Sequence, residues 1–322
     1  MSPVPDIPII DIARLRSAHP EDRAAVARAL GQACRSIGFF YIIGHGIAPA
    51  TIGATFDAAR RFFDLSIERK QALSITRSPH NRGYVALEGE RLDEAKPGDL
   101  KEAFNIGLDL PEDHPEVAAR RPFRGVNLWP ALPGWQRTLL DYYDACWAVG
   151  RLLHRGFALD LGVAEDFFAD KFDAPIATLR LLHYPGRQMP AQDGQIGAGE
   201  HTDYGNVTLL ATDGVAGLQV RARDGRWLEA PSIQDAFVCN IGDCLMRWTN
   251  DVYVSTPHRV MPPQADRYSI AFFLDPNPDA VVAVLPSCTA PDRPPRYPAT
   301  TGGAYLKSRL DATYDHRQPT GS

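Results

Sequence analysis

The sequence predicts an α+β protein whose β-dominated core is flanked by helices, and three observations predict it. Before Pro175 apolar residues recur at helical spacing. After it they gather in short runs separated by Gly, Asp, Asn and Pro. With 44% hydrophobic residues in a chain of 322, one large core can be buried without disulfides or a partner chain. Short strands recurring over about a hundred residues need two packed sheets or a closed β-structure, and a jelly roll is one common solution.

The elements follow in order. Residues 21 to 37 place Val26, Leu30, Ala33 and Ile37 on one helical stripe, with Gly38 as the stop. Phe39-Phe40-Tyr41-Ile42-Ile43 is aromatic and β-branched and closes on Gly44-His45-Gly46, which suits a buried strand ending in a tight turn. Helices are expected at 49 to 64 and 66 to 73, then a polar loop to about residue 100, then a long helix from Trp135 to Leu161. The strand runs are Ala177 to His183, Val207 to Thr212, Gly217 to Val220, Ala236 to Ile241, Cys244 to Trp248 and Tyr268 to Leu274. From Arg296 to Tyr314 the pattern is a linker and one short helix, with Gly302-Gly303 as a loop and Tyr305, Leu306 and Leu310 as the apolar face. No internal repeat or low-complexity segment occurs, and 27 prolines stiffen the loops. The expected organisation is one compact unit: an N-terminal helical and strand region over 1–120, a long-helix connector over 121–174, a jelly-roll core over 175–285, and a tail over 286–322.

Composition excludes several partners. The net charge of −5 is small and no run of basic residues would track a phosphate backbone, so no nucleic-acid partner is expected. No window of eighteen apolar residues occurs and the first residues lack a basic, apolar and small-residue cleavage pattern, so no membrane partner is expected and the cytoplasm is the expected compartment. Cys34, Cys146, Cys239, Cys244 and Cys288 are scattered and never spaced as CxxC, which suits small buried hydrophobes in a reducing compartment. Oligomeric state leaves no trace in these features.

The chemistry is expected in the β-region. In Gly199-Glu200-His201-Thr202-Asp203-Tyr204-Gly205, an extended backbone would aim His201 and Asp203 to one side, because alternate residues share a strand face. His258, in a distant segment, is the natural third ligand, and two histidines with one carboxylate can cap one face of an octahedron while the opposite face stays open. Of the other histidines, His19, His80, His114 and His316 lie in polar segments expected to be exposed, and His45, His154 and His183 read as satisfied structural residues. Shortly after His258, Arg267-Tyr268-Ser269 offers a fixed cation and a hydroxyl on one strand face, a pair able to hold a carboxylate. Each motif alone is common; their combination is much more specific.

These residues resemble the isopenicillin N synthase-like family of 2-oxoglutarate and Fe(II)-dependent oxygenases. The likeness runs over nearly the whole chain, through Pro5 to Ile12, Gly38 to Gly46, Asn81-Arg82-Gly83-Tyr84, Asp99 to Phe104, Tyr184-Pro185, His201-Thr202-Asp203, Gly217 to Val220, Asn240-Ile241-Gly242-Asp243, His258-Arg259-Val260 and Arg267-Tyr268-Ser269. It implies a double-stranded β-helix with flanking helices, Fe(II) on His201, Asp203 and His258, and the distal carboxylate of 2-oxoglutarate on Arg267 and Ser269 with help from Tyr184. It also implies O2 as oxidant and a small organic molecule as substrate, most simply hydroxylated, with succinate and CO2 released. Plant members carry Asn two positions before the tyrosine, where this chain has Leu182. Substrate choice is expected from the N-terminal half and the tail, with Arg82, Tyr84, Lys101, Phe104 and Tyr204 at the pocket lip. The rivals are an Fe(II) oxidase of the same family that does not use 2-oxoglutarate, a non-catalytic small-acid-binding protein, and a zinc hydrolase. Substrate-dependent succinate release separates the first. The complete ligand set argues against the second, and the Arg267–Ser269 pair is unexplained by the third.

Overall fold

The computed structural model describes residues 7–93, 97–186 and 194–313. In chain order the strands are β1 (Ile9–Asp11), β2 (Phe39–Ile43), β3 (Gly83–Val85), β4 (Glu102–Gly107), β5 (Ile176–Tyr184), β6 (Ala198–His201), β7 (Val207–Thr212), β8 (Leu218–Arg221), β9 (Trp227–Glu229), β10 (Phe237–Ile241), β11 (His258–Val260), β12 (Arg267–Asp275), β13 (Val281–Val282) and β14 (Thr300–Thr301). The α-helices are α1 (Pro20–Ser36), α2 (Pro49–Phe63), α3 (Ile67–Gln71), α4 (Pro115–Ala118), α5 (Trp135–Asp160), α6 (Asp243–Trp248) and α7 (Gly302–Thr313).

Eight strands form a major sheet in the order β1-β2-β10-β7-β12-β5-β4-β3, and four form a minor sheet in the order β6-β11-β8-β9. Strands β7, β10, β12 and β5 pair antiparallel through the middle of the major sheet, whereas β1 joins β2 in parallel. The sheet-rich core with helices outside it is the jelly-roll architecture expected from the sequence. Strands β1 to β4 come from residues before 120, so the N-terminal segment is hydrogen-bonded into the same sheet as the core.

The major sheet is covered on both faces, which explains why its strands read as continuous apolar runs. Along β12, Ile270, Phe272 and Leu274 join the core under the helices, while Ala271 and Phe273 join the second core between the sheets. Strand β2 divides in the same way, with Phe40 and Ile42 under the helices and Phe39 and Tyr41 between the sheets. Helix α5 packs on α1, α2 and β12, and its buried stripe includes Trp135, Leu139, Tyr142, Cys146, Val149, Leu153 and Phe157. Burying such a stripe contributes about 1.5–3 kcal/mol per large apolar side chain. All five cysteines are free and buried, as expected.

Several expectations need correction. The run Cys244 to Trp248 is helix α6, because Gly242 supplies an extended N-cap and Cys244, Leu245 and Trp248 bury one helical face. The polar loop to residue 100 contains β3, and the wholly buried β4 follows directly; Glu-Ala-Phe-Asn-Ile-Gly carries no alternation because polar Glu102 and Asn105 are buried with the rest. Gly302 and Gly303 begin α7 rather than forming a loop. A side chain there would sit 2.7 Å from the Asn277 carbonyl oxygen and 2.9 Å from that of Pro278, so glycine permits the close approach. Tyr314 and His316 lie outside the described residues. No helix among the described residues is long and apolar enough to cross a membrane.

Candidate active site

His201 ends β6, Asp203 lies two residues beyond, and His258 starts β11 directly opposite His201 in the antiparallel register. One donor atom from each of the three falls within 4.8 Å of the others, and no other such cluster of His, Cys, Asp or Glu is found among the described residues. Asp203 Oδ1 lies 3.8 Å from His201 Nε2 and 3.7 Å from His258 Nε2.

Backbone and side-chain bonds fix the orientation of every donor. His201 Nδ1–H donates to the Gly199 carbonyl at 2.7 Å and His258 Nδ1–H to that of Thr256 at 3.2 Å, so each ring turns its Nε2 lone pair inward. Asp203 Oδ2 accepts from Thr208 Oγ1 at 2.5 Å and Asn240 Nδ2 at 2.7 Å, which leaves Oδ1 facing the imidazoles. Phe39 packs edge-on to the His258 ring. Burial, and then neighbouring His258, lowers the His201 pKa and keeps its imidazole neutral. Burial works against the Asp203 carboxylate, but the two imidazoles and the Asn240 and Thr208 bonds outweigh it and hold its pKa below the ordinary value. Two imidazole nitrogens and one carboxylate oxygen form a donor set that suits a divalent first-row metal such as Fe(II).

The triad faces a cavity of about 170 Å³ between the sheets. Alternate residues of β12, namely Arg267, Ser269, Ala271, Phe273 and Asp275, all line it. Arg267 is 1% exposed, yet no acidic side chain pairs with it among the described residues. Its Nε donates to the Val215 carbonyl at 3.2 Å, its Nη1 lies 3.4 Å from Ser269 Oγ, and its guanidinium carbon is 4.8 Å from the centre of the Tyr184 ring. A buried guanidinium held by neutral groups is costly unless an anion joins it. Leu182 pairs with Ser269 across the sheet and adds an apolar wall.

The expected lip residues divide. Arg82, Lys101 and Tyr204 line the cavity. Tyr84 and Phe104 do not: Tyr84 is buried and donates to Glu102 Oε2 at 2.6 Å, and Phe104 packs against Phe62 and Trp135 under the helices. Both lie on the helix-facing side of their strands, an assignment that alternation alone leaves open. Lys101 is buried in a pair of bridges to Glu90 and Asp99. Arg82 donates to Asn127 Oδ1 and the Phe123 carbonyl, and burial lowers its pKa to about 10. His80 is half-buried against the cavity rather than exposed, with Nδ1 unpartnered, because Arg82 and the 123–125 segment fold over it. His45, His154 and His183 are bonded to neighbouring groups and lie outside the triad. Sequence reasoning does not single out Thr208, Asn105 or Asp275 as site residues, and of the two groups that hold Asp203 only Asn240 stands in a recognisable motif.

Two family matches cover most of the chain. Residues 7–132 match the non-haem dioxygenase in morphine synthesis N-terminal family, and residues 175–276 match the 2OG-Fe(II) oxygenase superfamily. The chain is 38% identical over 314 residues to the 2-oxoglutarate-Fe(II) type oxidoreductase hxnY of Emericella nidulans, covering 94% of this chain and 90% of that protein. It is 38% identical over 287 residues to the 2-oxoglutarate-dependent dioxygenase citB of Monascus ruber, covering 85% of each. A full-length Neurospora crassa protein solved in complex with alpha-KG and thymine superposes with a TM-score of 0.85 at 33% identity, covering 96% of this chain and 97% of that one. A 2OG-Fe(II) oxygenase family protein from Caulobacter crescentus gives a TM-score of 0.83 at 32% identity, covering 96% and 99%. Relatives this similar are solved with alpha-KG bound, which favours 2-oxoglutarate use over the oxidase and binding-protein alternatives. The chain belongs to the 2-oxoglutarate/Fe(II)-dependent oxygenase superfamily and uses Fe(II), 2-oxoglutarate and O2 as a dioxygenase.

Proposed function

We propose that His201, Asp203 and His258 hold the Fe(II), that Arg267, Ser269 and Tyr184 hold the distal carboxylate of 2-oxoglutarate, and that the enzyme hydroxylates a compact organic molecule. The observation that carries this reading is the buried Arg267, which has no acidic partner among the described residues, in the same cavity as three pre-oriented candidate metal donors. Bound Fe(II) would supply O2 activation coupled to conversion of 2-oxoglutarate to succinate and CO2, with one oxygen atom delivered to a C–H bond. The chain's own contribution is positional. Gly199 and Thr256 hold the imidazole tautomers, Thr208 and Asn240 hold the carboxylate, and Arg267 sets the direction of the co-substrate. Apolar Leu182, Leu210, Leu218, Val260 and Phe273 exclude water from the reacting groups.

Residues 175–285 would then form the iron and co-substrate core, while the region before 120 and the tail after 286 supply the substrate wall through Arg82, Leu306 and Leu310, joined by Phe123 from the connector. Thymine beside alpha-KG in the Neurospora relative supports a substrate of similar compactness. The composition supports a cytoplasmic enzyme. The test is an anaerobic titration with Fe(II) and 2-oxoglutarate followed by a substrate screen that measures succinate and hydroxylated product. One succinate per hydroxylated product is expected, and product without succinate overturns the reading.

A further inference from the structure

Strand β12 carries a second buried ionisable group that the chemistry above leaves without a task. Its inward residues run from Arg267 and Ser269 at one end, through Ala271 and Phe273, to Asp275 at the other. Thr208, which holds Asp203, pairs with Phe273 in the sheet, so the metal donors lie near the level of Phe273. Asp275 is one pleat beyond, on the side away from Arg267. Its carboxylate lies beside Gly205, where a Cβ would approach Oδ1 to 2.9 Å. It is thus near the Asp203 donor and away from the proposed co-substrate clamp.

Asp275 is 5% exposed and lines the cavity, and no hydrogen bond or ion pair to its carboxyl is found among the described residues. Burial and the nearby Asp203 raise its pKa to about 8. The guanidinium and ammonium groups of the cavity wall have internal partners: Lys101 and Arg180 meet Glu90, Arg82 meets Asn127, and Arg267 meets Val215 and Ser269. A buried carboxyl left in this condition opposes folding, and such groups persist where function requires them. Ile176, Tyr204, Phe273 and Leu306 line the same cavity, so a ligand entering there meets an unpartnered carboxyl among largely apolar side chains.

We propose that Asp275 is the substrate-anchoring residue of this pocket and accepts a hydrogen bond from an N–H or O–H group of a compact, otherwise largely apolar substrate. The substrate class is then a small amide, lactam, imide, amine or phenol whose oxidised C–H lies within a few bonds of the donor. The inference rests on the oxygenase reading, because it places the substrate relative to the proposed iron and 2-oxoglutarate sites.

The experiment uses the full chain loaded anaerobically with Fe(II) and 2-oxoglutarate. Matched pairs of small compounds are titrated by calorimetry: thymine and its N,N-dimethyl derivative, pyrrolidinone and N-methylpyrrolidinone, benzylamine and its N,N-dimethyl derivative, phenol and anisole. The expected result is that at least one donor-bearing compound binds, that methylation weakens it tenfold or more, and that Asp275→Ala weakens it to the level of the methylated partner. A second measurement concerns the ligand-free protein: isosteric Asp275→Asn removes an unpartnered buried acid and should raise the melting temperature by about 1–3 °C. A structural carboxylate would lower it. The anchor is overturned if no donor-bearing compound binds, if methylation or Asp275→Ala leaves binding unchanged, or if Asp275→Asn lowers the melting temperature. Loss of Fe(II) or 2-oxoglutarate uptake by the wild-type protein would instead mark failure of the oxygenase reading itself.

Discussion

Replacing Arg267 tests the co-substrate clamp most directly. Two of its donors are already engaged, Nε with the Val215 carbonyl and Nη1 with Ser269, which leaves the outer edge of the guanidinium for a carboxylate. Two charge-assisted bonds at about 1.5–3 kcal/mol each predict a loss of about 3–6 kcal/mol in Arg267→Ala, or roughly a hundred- to ten-thousand-fold in 2-oxoglutarate affinity. Arg267→Lys keeps the charge but loses the fork, so its loss should fall near one bond, about ten- to a hundred-fold. The assay is titration of oxygen-free, iron-loaded protein with 2-oxoglutarate, following the visible charge-transfer band that family resemblance leads one to expect. Iron affinity should change little, because Arg267 touches none of the three donors. If Arg267→Ala binds 2-oxoglutarate within about threefold of the wild type, a difference worth less than a single hydrogen bond, the clamp is elsewhere and the reasoning from its unpaired charge is wrong.

Other predictions follow from the same geometry. His201→Ala, Asp203→Ala and His258→Ala should each abolish turnover while the melting temperature moves little, whereas His183→Ala, measured by iron content after anaerobic loading, should keep the metal. Thr208→Val and Asn240→Ala each remove one bond to Asp203 Oδ2 and should weaken Fe(II) about ten- to a hundred-fold in chelator competition; unchanged affinity would show that Asp203 needs no such support. His154 is buried, donates to the Gly150 carbonyl, accepts from Asn206, and is pushed by burial down to about 4. Because its folded pKa lies below the unfolded value of 6.5, the unfolded chain takes up the proton first, and stability should fall by about 3 kcal/mol between pH 7 and pH 4. His154→Leu should flatten that part of a urea-unfolding profile measured against pH, and an unchanged slope would count against it.

The candidate metal site is legible in the sequence because its donors are chemically rare in combination, and because two of them sit two residues apart at a strand end. The proposed clamp is legible for the same reason. What escapes is decided by burial on the second face of a strand. Tyr84 and Phe104 carry the same residue types whether they face the pocket or the helices, and only the register of β3 and β4 places them under α2 and α5. Strand β4 is hidden because its polar members, Glu102 and Asn105, find buried partners that no single-sequence pattern records: Lys70, Tyr84 and His183 for the first, the Asn81 carbonyl for the second. Helix α6 is mistaken for a strand because a short apolar-rich run fits a strand or a turn and a half of helix equally well. Asp275 draws no attention because an aspartate before a proline reads as a strand end; its significance lies in what fails to surround it.

The proposed clamp and the far wall of the cavity share a single strand. An extended backbone cannot stretch, so β12 acts as a ruler: at about 3.3 Å per residue, the spacing from Ser269 to Asp275 is held near roughly 20 Å whatever the loops do. Relatives with larger or smaller substrates would have to find the difference in the flanking parts of the cavity wall, around Arg82 and Phe123 and on α7, since an inserted residue in β12 would exchange its two faces and turn Ile270, Phe272 and Leu274 toward the cavity. Diversification of such an enzyme is therefore expected to be written in its flanks, with the measuring strand retained.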